Sequence, residues 1–156
     1  MTFELRLVED APIAGQEINY DAVVPRGIYI AAGEIASGGS SYAEDDGFVS
    51  TDALSVQAGA EGATLWRWER VSPELPWAIR NARSKLSLAS EVDLAVISDA
   101  LLIRLDSVAF PPGGTAILHV HQGSGIRCLR DGAIRIDTDG HSASYGPGSP
   151  WFELGP

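Results

Sequence analysis

Between residues 111 and 145 the chain is interrupted at short, even intervals by residues that turn a backbone. Pro111-Pro112-Gly113-Gly114 opens the stretch, and Gln122-Gly123-Ser124-Gly125, Asp131-Gly132 and Asp139-Gly140-His141 divide it. The pieces between them (115–121, 126–130, 133–138 and 142–145) alternate apolar with polar and are too short for helices. Asp-Gly between alternating runs signals a hairpin, because the tight turn needs residues that accept positive φ. Short strands at close, even spacing fold as sandwiches or barrels. No stretch has the length and period of an amphipathic helix, and no solenoid repeat is present, so the expected fold class is all-β.

The earlier part of the chain is less regular. Residues 3–8 and 27–32 are candidate strands. From 33 to 62 the composition shifts to Gly, Ser, Ala, Asp and Glu. Within it, Gly38-Gly39-Ser40-Ser41 and Glu44-Asp45-Asp46-Gly47 read as a solvated loop, whose acidic run is a weaker candidate for holding a cation. Residues 63–70 alternate well, with Thr64, Trp66 and Trp68 on one face and Leu65, Arg67 and Glu69 on the other. Two tryptophans on one strand face point first to a core or a subunit interface, and second to ligand stacking. Pro73, Pro76 and Trp77 interrupt the pattern, with a short helical turn expected over 77–84. Further strands are expected over 86–90, 92–97 and 101–110. The organisation read from this is an acidic N-terminal segment (1–62) with short strands and a flexible Gly/Ser-rich loop, followed by a β-barrel unit (63–156).

Charge narrows the partners. The net charge is −10, and residues 1–60 hold ten acidic against two basic side chains. Phosphate contacts need local positive charge, and no Lys/Arg cluster supplies it, so neither nucleic acid nor an anionic membrane is an expected partner. No apolar run approaches the ~20 residues of a membrane span. The start of the chain lacks the basic and long apolar regions of a signal peptide. The single cysteine, Cys128, cannot form an internal bridge and reads as a buried structural thiol. The expected location is the cytoplasm.

Two of the three histidines, His119 and His121, lie two residues apart in an apolar, β-branched run. In an extended strand they share a face, and two imidazoles on one face can share a ligand or simply face solvent. Gly113 precedes His119 by five residues, His121 completes His-x-His, and Gly132 follows. This spacing resembles the first motif of the cupin superfamily, with Gly125 where that motif has glutamate. The resemblance implies a jelly-roll (double-stranded β-helix) barrel holding a divalent transition metal, such as Fe, Mn, Zn or Ni, at the mouth of a small-molecule pocket. The family's second motif, started from Gly146 or Gly148, would place its histidine beyond Pro156, so a barrel incomplete at the C-terminus is expected.

With Gly125 at the motif's glutamate position, Glu153 is the nearest carboxylate candidate. It would share a face with Trp151 if 150–154 is extended. His119, His121 and Glu153 then form the expected metal set, with Glu153 as ligand or base. Arg127, on the same face as Gly125, is expected either to clamp a substrate carboxylate or to pair with Asp106 or Glu153. Tyr145 is a candidate pocket acid or hydrogen-bond donor and Trp151 a candidate substrate contact. Gln122 should point away from His121, and His141 reads as an exposed turn residue. Two function classes follow from the resemblance. One is a metal-dependent oxygenase, isomerase or decarboxylase acting on a small organic, carboxylate-bearing substrate. The other is a non-catalytic small-molecule-binding or dimerisation cupin with a degenerate metal site. A homodimer through a sheet edge or the Trp66/Trp68 face is expected.

Overall fold

The computed structural model describes residues 2–93, 102–138 and 140–155. Eleven strands run through them: β1 (Thr2–Ala11), β2 (Glu17–Tyr20), β3 (Arg26–Ser37), β4 (Ser40–Ala43), β5 (Gly47–Ser50), β6 (Leu54–Val71), β7 (Arg83–Asp93), β8 (Gly125–Cys128), β9 (Ile134–Thr138), β10 (His141–Tyr145) and β11 (Pro150–Glu153). Among the described residues there is no helix. Every pairing is antiparallel. A seven-stranded sheet runs in the order β4-β3-β6-β1-β7, with β2 also on β6 and β5 also on β3. Two further sheets pair β9 with β10 and β8 with β11.

The long strand β6 organises the large sheet. One of its edges carries β3, while the other carries β1 along 65–71 and β2 along 54–57. Between these stretches the ladder to β3 breaks: Gly33 faces Ala63, but Ile35 faces Ala58. Gly62 sits in this excursion at φ +79, where a Cβ would come within 2.8 Å of the Pro12 carbonyl oxygen. Only glycine meets both demands.

Period-two alternation gives the sheet two different faces. One is lined by Ile18, Tyr20, Ile28, Ile30, Ile35, Val56 and Leu65. On the other, Leu7 and Trp66 pack with Leu88, and with Ile126, Cys128 and Phe152 of the β8–β11 sheet. Each fully buried Leu or Ile in these clusters contributes roughly 1.5–3 kcal/mol. The β8–β11 sheet therefore lies as a second layer over the large one. The layering is all-β and antiparallel, consistent with a β-sandwich.

The strands expected over 3–8, 27–32, 63–70, 86–90, 126–130, 133–138 and 142–145 all appear, most of them longer or shifted by a residue or two. The solvated loop expected from Gly38-Gly39-Ser40-Ser41 and Glu44-Asp45-Asp46-Gly47 is confined to two short exposed turns, at 38–39 and 44–46, and most of the rest of 33–62 forms the outer half of β3, then β4, β5 and the first half of β6. Gly38 and Gly39, at φ +56 and +80, make a two-residue hairpin turn with Ser37 opposite Ser40. Glycine and serine mark tight hairpins as readily as loops, and strands with one wet face are polar in composition. The boundary expected between residues 62 and 63 falls inside β6.

Three other expectations change. Residues 77–84 contain no helical turn. No strand forms over 102–110 or 115–121, and Leu102, Val108, Ile117, Leu118 and Val120 are exposed. Alternation provides a face, but a strand also needs a neighbour for its ladder, and these segments have none among the described residues. Leu105 docks on the large sheet, over Gly27 and Gly47. Residues 94–97 and 101 of the expected strands, and Asp139, lie outside the described residues.

Candidate functional site

The β8–β11 register sets the geometry of the histidine region. Trp151 pairs with Arg127 and Glu153 with Gly125, so these four positions share the face turned away from the large sheet. The alternate residues Ile126, Cys128 and Phe152 point into the core. Trp68 of β6 anchors the layer by donating from Nε1 to the Ile126 carbonyl at 3.0 Å.

Glu153 lies at the centre of that face. Its Oε1 accepts a hydrogen bond from Trp151 Nε1 at 2.8 Å. Its Oε2 is 2.6 Å from His121 Nε2 and 3.1 Å from Arg127 Nη2. Neither contact is aligned as a hydrogen bond, so this buried oxygen has close nitrogen neighbours without a directed donor. The His119 ring stands edge-on to His121, with centroids 4.8 Å apart, and its Nδ1 is 2.7 Å from the Ile117 carbonyl. The Tyr145 ring lies 4.9 Å from that of Trp151.

Gly125 makes this convergence sterically possible. A Cβ there would collide with Arg127 Nη1, so the guanidinium folds back over the bare glycine to reach Glu153. Asp106, the other acid considered for Arg127, is instead 2.7 Å from Arg104 on the surface. His119, His121, Arg127, Tyr145, Trp151 and Glu153 thus lie in one connected patch. Gln122 and His141 are exposed outside it.

The donors do not complete a metal site. Among the described residues no three His, Cys, Asp or Glu side chains converge as a ligand group. His121 and Glu153 meet, but the carboxylate oxygen available to a metal already faces a guanidinium, which would repel the cation. This set does not fit the resident metal that the motif spacing implies.

Comparison with known protein families, curated proteins and solved structures finds no match. The site therefore has to be read from its own chemistry.

A second ionic constellation, on the opposite face of the large sheet, was not anticipated from sequence. Arg6, Arg26, Arg67, Asp10 and Glu69 are all buried, each no more than 3% exposed. Glu69 Oε2 accepts from Arg6 Nε and Nη2 at 3.0 and 2.8 Å and lies 2.5 Å from Arg67 Nη1, while Oε1 accepts from Arg26 Nε at 3.2 Å. Arg67 Nε donates to Asp10 Oδ2 at 2.7 Å, and the Tyr20 hydroxyl donates to the same oxygen at 3.0 Å. The guanidiniums also cap the carbonyls of Leu75, Pro76 and Trp77, pinning the loop after β6. Burial pushes the Glu69 carboxyl up, but the Arg67 and Arg6 guanidiniums outweigh it and hold the group below its ordinary range. Burial and the Asp10 charge push the Tyr20 phenol well above its ordinary value. A legible signal existed: Arg67 and Glu69 occupy the strand face opposite two tryptophans, in phase with Leu65.

The acidic turn also has a structural partner. Arg130 donates from Nε to the Tyr29 hydroxyl at 3.1 Å and to Asp45 Oδ1 at 3.2 Å, and it contacts Glu44. Burial and the Glu9 charge push the Cys128 thiol up to about 12, which fits a structural thiol rather than a nucleophile.

Proposed function

We propose that this chain is a cupin-like small-molecule-binding domain whose ligand is a small organic carboxylate, seated at Arg127 and His121 beside the Tyr145–Trp151 rings. The observation that carries the reading is the approach of His121 and Arg127 to a single oxygen of Glu153 on an outward face. The side chains of Arg127 and His121 are about one-third exposed, at 35% and 34%, so each keeps an open edge toward solvent. Arginine's planar fork suits a second carboxylate on that edge. Glu153 would hold the guanidinium in place, and Trp151 in turn holds Glu153. The absence of a third metal donor among the described residues favours binding over metal-dependent catalysis.

A second reading, a metal-dependent enzyme acting on a similar substrate, draws on one observation. Glu153 Oε2 is buried without an aligned donor, as an oxygen reserved for another partner would be. Untagged protein separates the two. On the binding reading, metal analysis finds equal trace content in wild type and His119→Ala. Calorimetric titration with succinate then gives an affinity weakened at least tenfold by Arg127→Ala. One equivalent of transition metal, lost on His119→Ala, would replace binding with the enzyme reading. Unchanged succinate affinity in Arg127→Ala would refute the proposed ligand position.

A further inference from the structure

The geometry points to a second, separate anion-binding site: a cavity of about 290 Å³ on the arginine face of the large sheet, between the end of β2 and the loop after β6. Six ionised side chains stand in its wall, and four of them are arginines (Arg6, Arg26, Arg67 and Arg80) against Glu69 and Asp21. Asp10 pairs with Arg67, and Glu4 lies 3.9 Å from Arg6, but neither carboxylate belongs to the wall. In a chain with only eleven Lys and Arg and a net charge of −10, four of those cations gather around one cavity and offset the acidic character of the chain there.

Arg26 is 1% exposed, and each of its three nitrogens donates a hydrogen bond: to Glu69, to the Asp52 carbonyl and to the Ala22 carbonyl. A guanidinium has five N–H groups, so these bonds fix its plane in the wall and leave donor capacity for an acceptor in the cavity. Arg80, at the exposed end, pairs with no carboxylate among the described residues.

The ligand class is a small metabolite bearing an oxyanion, either a carboxylate or a phosphate ester. The volume lies at the small end of ligand pockets and suits a small metabolite. Buried guanidiniums in a partly closed cavity bind such a group more strongly than surface lysines, because water competes less.

The test uses the whole chain, with inorganic phosphate and succinate as probes, titrated calorimetrically at matched ionic strength against chloride. Arg6, Arg26 and Arg67 hold the fold, so Arg80→Ala is the informative variant, and Arg127→Ala reports on the other anion site. The expected result is binding of at least one probe, weakened tenfold or more by Arg80→Ala, with a component that survives Arg127→Ala. Phosphate binding alone assigns a phosphoryl ligand, and succinate binding alone a carboxylate. No binding of either probe, or binding lost only in Arg127→Ala, overturns the proposal. Equal affinity in wild type and Arg80→Ala does so too. Because phosphate stabilises folded proteins by exclusion from their surface, a thermal shift that persists in Arg80→Ala counts as that general effect and against the site.

Discussion

Gly125 governs the histidine patch through the atom it lacks. The Arg127 guanidinium occupies the space of its Cβ, and from there reaches Glu153, the residue paired with Gly125 across the β8–β11 ladder. The backbone at Gly125 is not in the left-handed region, so a larger side chain meets only the movable end of an arginine. Gly125→Glu would displace Arg127 from Glu153 and set a second carboxylate opposite the first, beside His121. Removing the competing cation and adding an oxygen donor supplies what the present set lacks. The variant is expected to fold with an unchanged far-ultraviolet circular dichroism spectrum. Its zinc content, measured after equilibration and desalting, is expected to rise from trace to about one equivalent. Trace zinc in a folded Gly125→Glu protein would mean that His119 and His121 are not aimed at a common point.

At the scale of single strands, β6 carries the largest share of the structure, and its residue Glu69 bears the heaviest electrostatic load. Three guanidiniums converge on this one buried carboxylate. Glu69→Ala would leave Arg6 and Arg26 without their main counter-charge, a change that costs about 3–5 kcal/mol in a buried pair. Urea unfolding would show it as a lowered midpoint with an unchanged slope, and Glu69→Gln, which keeps acceptor capacity, is expected to lose less. A loss below ~1 kcal/mol for Glu69→Ala would show that the arginines find other partners. The same strand shows what a sequence reveals. The alternation of Leu65, Trp66, Arg67, Trp68 and Glu69 located the second half of β6 and its two faces, because period two follows directly from strand geometry. Turn chemistry likewise located β9 and β10. The charged face was left unread, because burial of Arg67 and Glu69 depends on Arg6 and Arg26, which are remote in sequence. Residues 115–121 failed in the opposite sense. Their pattern is as good as that of 63–70, yet a ladder needs a partner strand, and partner choice is not written in local periodicity. The histidine patch was legible for a related reason: the alternation of 150–153 put Trp151 and Glu153 on one face, and the pairing with β8 then brought Arg127 to them.

For the whole molecule, two electrostatic effects oppose each other as pH falls. At neutral pH the net charge of −10 disfavours the compact state by self-repulsion, and titration toward the isoelectric point near 4.6 relieves it. Glu69 acts in the other direction. Its folded pKa lies below the ordinary carboxylate value of 4.5. The stability it supplies is therefore fully present above that value and is lost as pH falls through the depressed folded value. Stability is thus expected to hold or rise slightly from pH 7 to about 5, as general repulsion declines. It should then fall below about pH 4.5, where the unfolded chain takes up a proton that the buried carboxylate refuses. Urea unfolding at a series of pH values in wild type and Glu69→Gln isolates the second effect, since only the first has a titratable group at this position. The difference in unfolding free energy between the two proteins is expected to be constant above pH 5 and to shrink steadily between about pH 4.5 and 3. A difference that stays constant through that range would mean that Glu69 titrates normally, and the three-arginine cluster would then not hold it as an ion.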